Sequence, residues 1–217
     1  MRNVRIFYKK LDRLKFVSHL DMNRYMLRLV KLSRLPIWYS EGFNPRAHIT
    51  FALPLSLGYE SEYEVVDMKI IDDDFTNEQV KAALDKVVAK GLEIIKISEP
   101  LEKPSKITYA GYKLIFDCHD SELDNFKEFL KRDEIHVSKR NKKGIINSID
   151  VAPKIKNLSF EQLQDEIVMN IILPAGGNEN LNPILVLTAF ENERKTKLPP
   201  VAMIRTMLYN SNMEMFQ

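Results

Sequence analysis

The sequence predicts an α+β protein made of two tandem halves, residues 1–100 and 107–217, each in the order β-α-β-β-α-β. Three observations predict it. Short apolar runs of period two alternate with longer runs of helical period. Capping signatures, Ser18-His19-Leu20-Asp21 and Thr76-Asn77-Glu78-Gln79, stand where the helical runs begin. A segment with two prolines, 100–106, separates two stretches that repeat one order of elements.

In the first half, residues 4–8 are β-rich and alternate, which reads as a strand. Ser18 then caps a helix with Asp21 in its first turn, where the dipole favours an acid. Met22, Met26, Leu29 and Val30 fall on one face of that helix. It ends before Pro36, which disfavours helix at Leu35. Residues 37–40 read as a short inserted strand. The polar loop 41–46 follows, then a strand at 49–53, with Ile49, Phe51 and Leu53 on one side and His48, Thr50 and Ala52 on the other. Residues 62–71 form another strand. The capping box at Thr76 opens a helix to about Lys90, closed by Gly91, and 92–98 is a strand. In the second half, strands are expected at 107–117, 135–140, 166–173 and 201–209. Helices are expected at 121–132 and after Asn182-Pro183, an N-cap followed by proline at the first helical position. The whole is two tandem ferredoxin-like βαββαβ halves, with an inserted strand and loop in the first.

Composition excludes much. The chain has 217 residues, 45% hydrophobic and 29% charged, as globular proteins do. Its one cysteine, Cys118, cannot alone build a disulfide within the chain, a CxxC pair or an iron–sulfur site. No G-x-G pair, phosphate loop, GxSxG or HExxH occurs, and neither cofactor nor metal is expected. The apolar runs are too short to span a membrane, and the N-terminus has no secretory apolar region, so a cytoplasmic protein is expected. The net charge of +2 is unevenly spread: residues 1–60 hold 11 basic and 4 acidic residues, and residues 61–101 hold 5 and 10. A basic first block attracts polyanions if its charges share a face; otherwise they are a solvated surface.

Three groups of residues stand out. His19 and Asp21 sit at a helix N-terminus, with Arg24, Arg28 and Lys31 behind them at spacings of four and three, on one stripe. The plainer reading is a surface cap with Asp21 paired to Arg24. Tyr39, Phe43, Asn44, Arg46 and His48 cluster around the loop: guanidinium, amide and imidazole for a phosphate or carboxylate, and rings for a base. The plainer reading there is a turn at Asn44-Pro45. Lys139, Arg140, Lys142, Lys143, Lys154 and Lys156 form a third group, either a phosphate clamp or a charged edge that blocks strand pairing. His119, His136 and Cys118 lack partners at ligand or triad spacing.

Ser18-His19-Leu20-Asp21, the stretch 39–46, the stretch 49–58 and Glu60-Ser61-Glu62 together resemble the signature of the radical SAM-linked protein family, itself a domain of unknown function. The likeness is strong over the first 70 residues and rests on length and element order over the remainder, and Ala47-His48 departs from the family's pattern. Members are encoded beside, or fused to, a B12-binding radical SAM protein. This chain has no CxxxCxxC, so the resemblance implies a non-catalytic accessory or substrate-presenting protein, with that enzyme as partner; taken with the basic first block, RNA is the expected substrate. It implies no catalytic residues. In architecture alone the chain is similar to tandem ferredoxin-like RNA-processing proteins of the CRISPR repeat-endonuclease type. Two alternatives follow from the residues themselves. One is a stand-alone RNA-binding module using the stripe and the loop. The other is an RNA-processing enzyme with His19 as acid/base and Arg46 on a phosphate.

Overall fold

The protein is described by a computed structural model of residues 1–217 apart from 72–73, 118–121, 141–143, 145, 178 and 200, and apart from the side chains of 117, 139, 140 and 146. Two units divide it: Met1–Ile107 with Arg205–Gln217, and Thr108–Ile204. The α+β class is as predicted. The last segment, which the sequence reading placed in the second half, belongs to the first unit.

The first unit contains β1 (Arg2–Lys10), α1 (His19–Ser33), β2 (Ile49–Phe51), β3 (Glu60–Ile70), α2 (Asn77–Asp85) and β4 (Leu92–Ser98). Its strands pair antiparallel, with neighbours in the order β4-β1-β3-β2, the order of the split βαβ plan. Alternation along β1 sends Val4, Ile6 and Tyr8 into a core with Val66, Met68 and Ile70 of β3. Met22, Met26, Leu29 and Val30 of α1 and Val80 and Leu84 of α2 complete that core, so the stripe read from the sequence is the packing face. Ser18 caps α1, and Arg34 ends it in the left-handed region at φ 56°. Thr76 and Gln79 form the expected capping box of α2. That helix stops at Asp85, short of the expected Lys90, where the Val87 N–H turns back to the Leu84 carbonyl in a 3-10-type bond. Gly91 does not close the helix but leads into β4 at φ +93°.

The strand expected at 37–40 is reduced to two bridges, Ile37 to Ile70 and Tyr39 to Ala47. The chain leaves the edge of β3 after Trp38, whose N–H donates to the Lys69 carbonyl at 2.8 Å, and rejoins it at Ile49, opposite Met68. The residues between become a small hairpin, closed by His48 N–H to the Trp38 carbonyl (3.1 Å) and Ser40 N–H to the Arg46 carbonyl (2.9 Å).

The second unit contains β5 (Tyr109–Asp117), α3 (Glu122–Phe129), β6 (His136–Arg140), β7 (Ile146–Asp150), β8 (Lys156–Leu163), β9 (Glu166–Pro174) and α4 (Pro183–Arg194). β5-β9-β8 pair antiparallel, repeating the order β1-β3-β2 of the first unit. β6 and β7 form a separate hairpin, and α4 lies against β6. β7 and β8 are additions to the predicted order. The core is aromatic: the Phe126 ring meets Phe190 at 5.1 Å, and Phe129 meets Phe190 at 5.5 Å.

The last strand, β10 (Ala202–Tyr209), lies beside β3 from Arg205 onward. The chain then curls through Asn210, whose side chain accepts from the N–H groups of Asn212 and Glu214, and buries Phe216 completely. This tail covers the sheet face opposite the helices. There Arg5 is fully buried, holding Asp67 through Nε and Nη2 (both 2.7 Å) and the Glu102 carbonyl (2.8 Å), with Phe216 at 4.5 Å from its guanidinium. Tyr63 packs beside Phe7 and donates to the Phe216 carbonyl at 2.8 Å.

Burial pushes the Tyr63 phenol up to about 12, with Arg5 opposing, so the neutral form stabilises the fold. A phenol raised on folding contributes fully below the unfolded value near 10, and that contribution is lost as pH rises through 12. We expect a fall of about 3 kcal/mol between those values. Urea unfolding at stepped alkaline pH should show it, and Tyr63→Phe should flatten that part of the profile.

Candidate functional site

Ser18 lies outside α1 in extended backbone, and its hydroxyl accepts from Asp21 N–H at 3.1 Å while donating to the Asp21 carboxylate at 2.8 Å. Arg24 reaches the other carboxylate oxygen at 3.0 Å. Hydrogen bonds from Ser18 and then Arg24 hold the Asp21 carboxyl below its ordinary value. Asp21 and Arg24 thus form the surface cap that was the plainer reading. Ser18→Ala should lower stability by about 1 kcal/mol in urea unfolding. His19 is exposed; its Nε2 lies 3.1 Å from Asn23 Nδ2, and its ring sits edge-on to Phe51 at 5.2 Å.

Next to His19 the fold buries charges that sequence reasoning passed over. Tyr8 and Glu64 are register partners on β1 and β3, and Lys10 follows Tyr8 on the same face. All three are buried, as is Arg205 of β10. Arg205 Nε donates to Glu64 at 2.9 Å, and its Nη2 also reaches the Leu53 carbonyl at 2.9 Å. Lys10 donates to the Val17 carbonyl at 3.0 Å. Burial pushes the Lys10 ammonium down; burial, then Glu64, pushes the Tyr8 phenol well up. A cavity of about 10 Å³ among Tyr8, Lys10, His19, Phe51 and Glu64 has room for about one water. The only hint in the sequence is parity: Lys10 shares it with Val4, Ile6 and Tyr8.

Arg24, Arg28 and Lys31 are exposed along α1, and Lys31 also complements the helix C-terminus. Leu20 (61% exposed) and Leu27 (37% exposed) lie on the same side by helical spacing. On the hairpin 38–48, Phe43 is fully exposed at the tip, and Asn44, Arg46 and His48 are exposed beside it. Arg46 N–H donates to the Ser40 hydroxyl at 3.0 Å. Tyr39 is 38% exposed. His48 meets Trp38 at 6.0 Å, and Lys69 covers Trp38 at 5.3 Å. Lys69 alternates with the core residues Met68 and Ile70, so this group lies on the sheet face opposite α1 and His19. His19 and Arg46 share no contact among the described residues.

In the second unit, Lys154 pairs with Glu179 at 2.5 Å and Lys156 covers Tyr109 at 5.6 Å. Lys142, Lys143, Cys118 and His119 lie outside the described residues, as do the side chains of Lys139 and Arg140. Among the described residues no cluster of His, Cys, Asp or Glu could hold a metal ion, and no helix is long and apolar enough to cross a membrane.

No curated protein matches the chain. Among solved structures it is similar to a chain of a Cbf5-Nop10-Gar1 complex, with 10% identity and a TM-score of 0.49, over 93% of this chain and 48% of that one. It is also similar to an unknown protein from Galdieria sulphuraria, with 10% identity and a TM-score of 0.25, over 94% of this chain and 98% of that one. The chain therefore spans about half the length of the first of these. The family model described as "Uncharacterized protein conserved in bacteria (DUF2344)" matches residues 3–183, and the chain belongs to that family.

Proposed function

We propose that the chain is a cytoplasmic, non-catalytic accessory or substrate-presenting protein that acts with a B12-binding radical SAM enzyme on RNA. The observation that supports this reading is where the signature residues fall. Tyr39, Phe43, Asn44, Arg46 and His48 stand on a projecting hairpin, and Phe43 is fully exposed there. A bare aromatic ring on a loop tip adds nothing to the core, and such rings anchor interfaces. The exposed Arg24, Arg28 and Lys31 supply positive charge for a phosphate backbone.

Anaerobic co-purification with the encoded radical SAM enzyme tests the partnership. A stable complex that Phe43→Ala weakens is the expected result, and separate elution of the two proteins overturns it. For RNA, affinity should fall steeply with salt. Arg24→Gln, Arg28→Gln and Lys31→Gln together should reduce the slope of log K against log salt by about 2. RNA binding without any complex would favour the stand-alone module, whose support is the same unburied stripe.

A further inference from the structure

We infer that a cleft beside residues 12–16 binds a nucleoside monophosphate unit, its base on Phe16 and its phosphate between Arg13 and Lys90. The cleft is about 830 Å³, within the range of small-molecule sites. It lies in the first unit, outside every residue singled out from the sequence. Phe16 is 69% exposed on a single 3-10 turn, Asp12–Phe16, that has no buried residue of its own.

The turn is nevertheless held firmly. Leu11 N–H donates to the Gly91 carbonyl at 2.7 Å, and Gly58 N–H to the Lys15 carbonyl at 2.8 Å. Gly91 sits at φ +93°, and a Cβ there would come within 2.9 Å of the Leu11 carbonyl oxygen, so the wall is closely packed at backbone level. Asp12 holds φ 55°, which few residues other than glycine adopt. An exposed ring on a fixed turn is a stacking platform already paid for in conformational freedom.

The charges around it choose the ligand. Arg13 and Lys90 are exposed and have no ion pair among the described residues. Lys15 is neutralised by Glu60 at 3.2 Å, with its Nζ at 5.6 Å from the Phe16 ring centre. Two free cations match one phosphate, on which an arginine can fork. Asp12 repels the further charge of a di- or triphosphate and offers an acceptor to ribose hydroxyls. Base stacking on an exposed ring tolerates every base, which suits a strand as well as a free nucleotide. For the strand source alone, the inference rests on the RNA reading above.

The test is titration of the full chain with AMP and with a hexaadenylate strand at low salt. The proteins are the wild type, Phe16→Ala, Arg13→Gln/Lys90→Gln and, as a control on an exposed residue of the second unit, Leu163→Ala. Phe16 is exposed, so Phe16→Ala should fold normally, and circular dichroism checks this. We expect each cleft variant to weaken binding about tenfold or more, and Leu163→Ala to leave AMP binding unchanged. Binding of both probes, lost together in the cleft variants, supports the site, and tighter binding of the strand identifies RNA as its source. AMP binding without strand binding keeps the cleft and overturns the RNA reading. Strand binding that both cleft variants retain keeps the RNA reading and overturns the cleft. No binding of either probe to the wild type overturns both.

Discussion

Arg205→Met will cost the first unit about 3–5 kcal/mol of stability, although methionine is apolar and close in length. The loss does not lie in the arginine itself. Glu64 is almost wholly buried, and Arg205 donates to it at 2.9 Å while also holding the Leu53 and Pro54 carbonyls. Removing the guanidinium strands a carboxylate and two carbonyl oxygens away from water. Lys10 stands close enough for Glu64 to act on it, but burial already works against its charge and it is committed to the Val17 carbonyl. It offsets only part of the loss. Glu64→Gln should cost less, since an amide oxygen still accepts. The double variant Glu64→Leu/Arg205→Met should recover part of the stability, because an apolar pair strands no carboxylate, while Lys10 loses Glu64 and the Leu53 and Pro54 carbonyls lose the guanidinium. Urea unfolding followed by circular dichroism, with slopes compared, measures all three. Additive losses in the double variant would show that the pair matters for packing and not for charge.

Phe216→Ala is the second large effect, expected at about 3–5 kcal/mol. Phe216 is fully buried and lies against the Arg5 guanidinium at 4.5 Å, so truncation leaves a cavity beside a buried cation. Arg5 keeps Asp67 and the Glu102 carbonyl, but its buried Nη1 has no hydrogen-bond partner among the described residues. Phe216→Leu should recover about half of the loss by filling most of the space. Thermal unfolding checks both. If Phe216→Ala melts within a degree or two of the wild type, the tail is not a structural lid on this face.

Local signals carried the first unit. The Ser18 and Thr76 caps, the Met22–Met26–Leu29–Val30 stripe and the alternation of β1 are all short-range patterns, and each element formed where they stand. The misses have physical reasons as well. β8 is exposed along most of its length, so no apolar alternation marks it, and its pairing with β9 decides its structure. The hairpin 38–48 looked like a strand at its first residues because Ile37 does pair with β3; its departure from the edge is a tertiary event. The cleft was hidden because a single 3-10 turn has no periodicity, and Phe16 in a sequence reads as core. Lys10, Glu64 and Arg205 stand unmarked in the sequence, since beyond the parity of Lys10 nothing local announces that three strands bring them together. The signature loop was legible as unusual, and its exposure is what the structure added.

The return of Arg205–Gln217 to the first unit has a consequence for biosynthesis. Tyr63 meets Phe216 across 153 positions and Arg205 meets Glu64 across 141, so these closures have very high contact order. The N-terminal unit leaves the ribosome early, but Glu64 must wait for Arg205, and Arg5 for the Phe216 ring, until the second unit has been made. The second unit is, in effect, an insertion within the first. Translation that stalls after residue 107 would release a half-closed sheet with an open edge and Glu64 without Arg205, a natural client for chaperones.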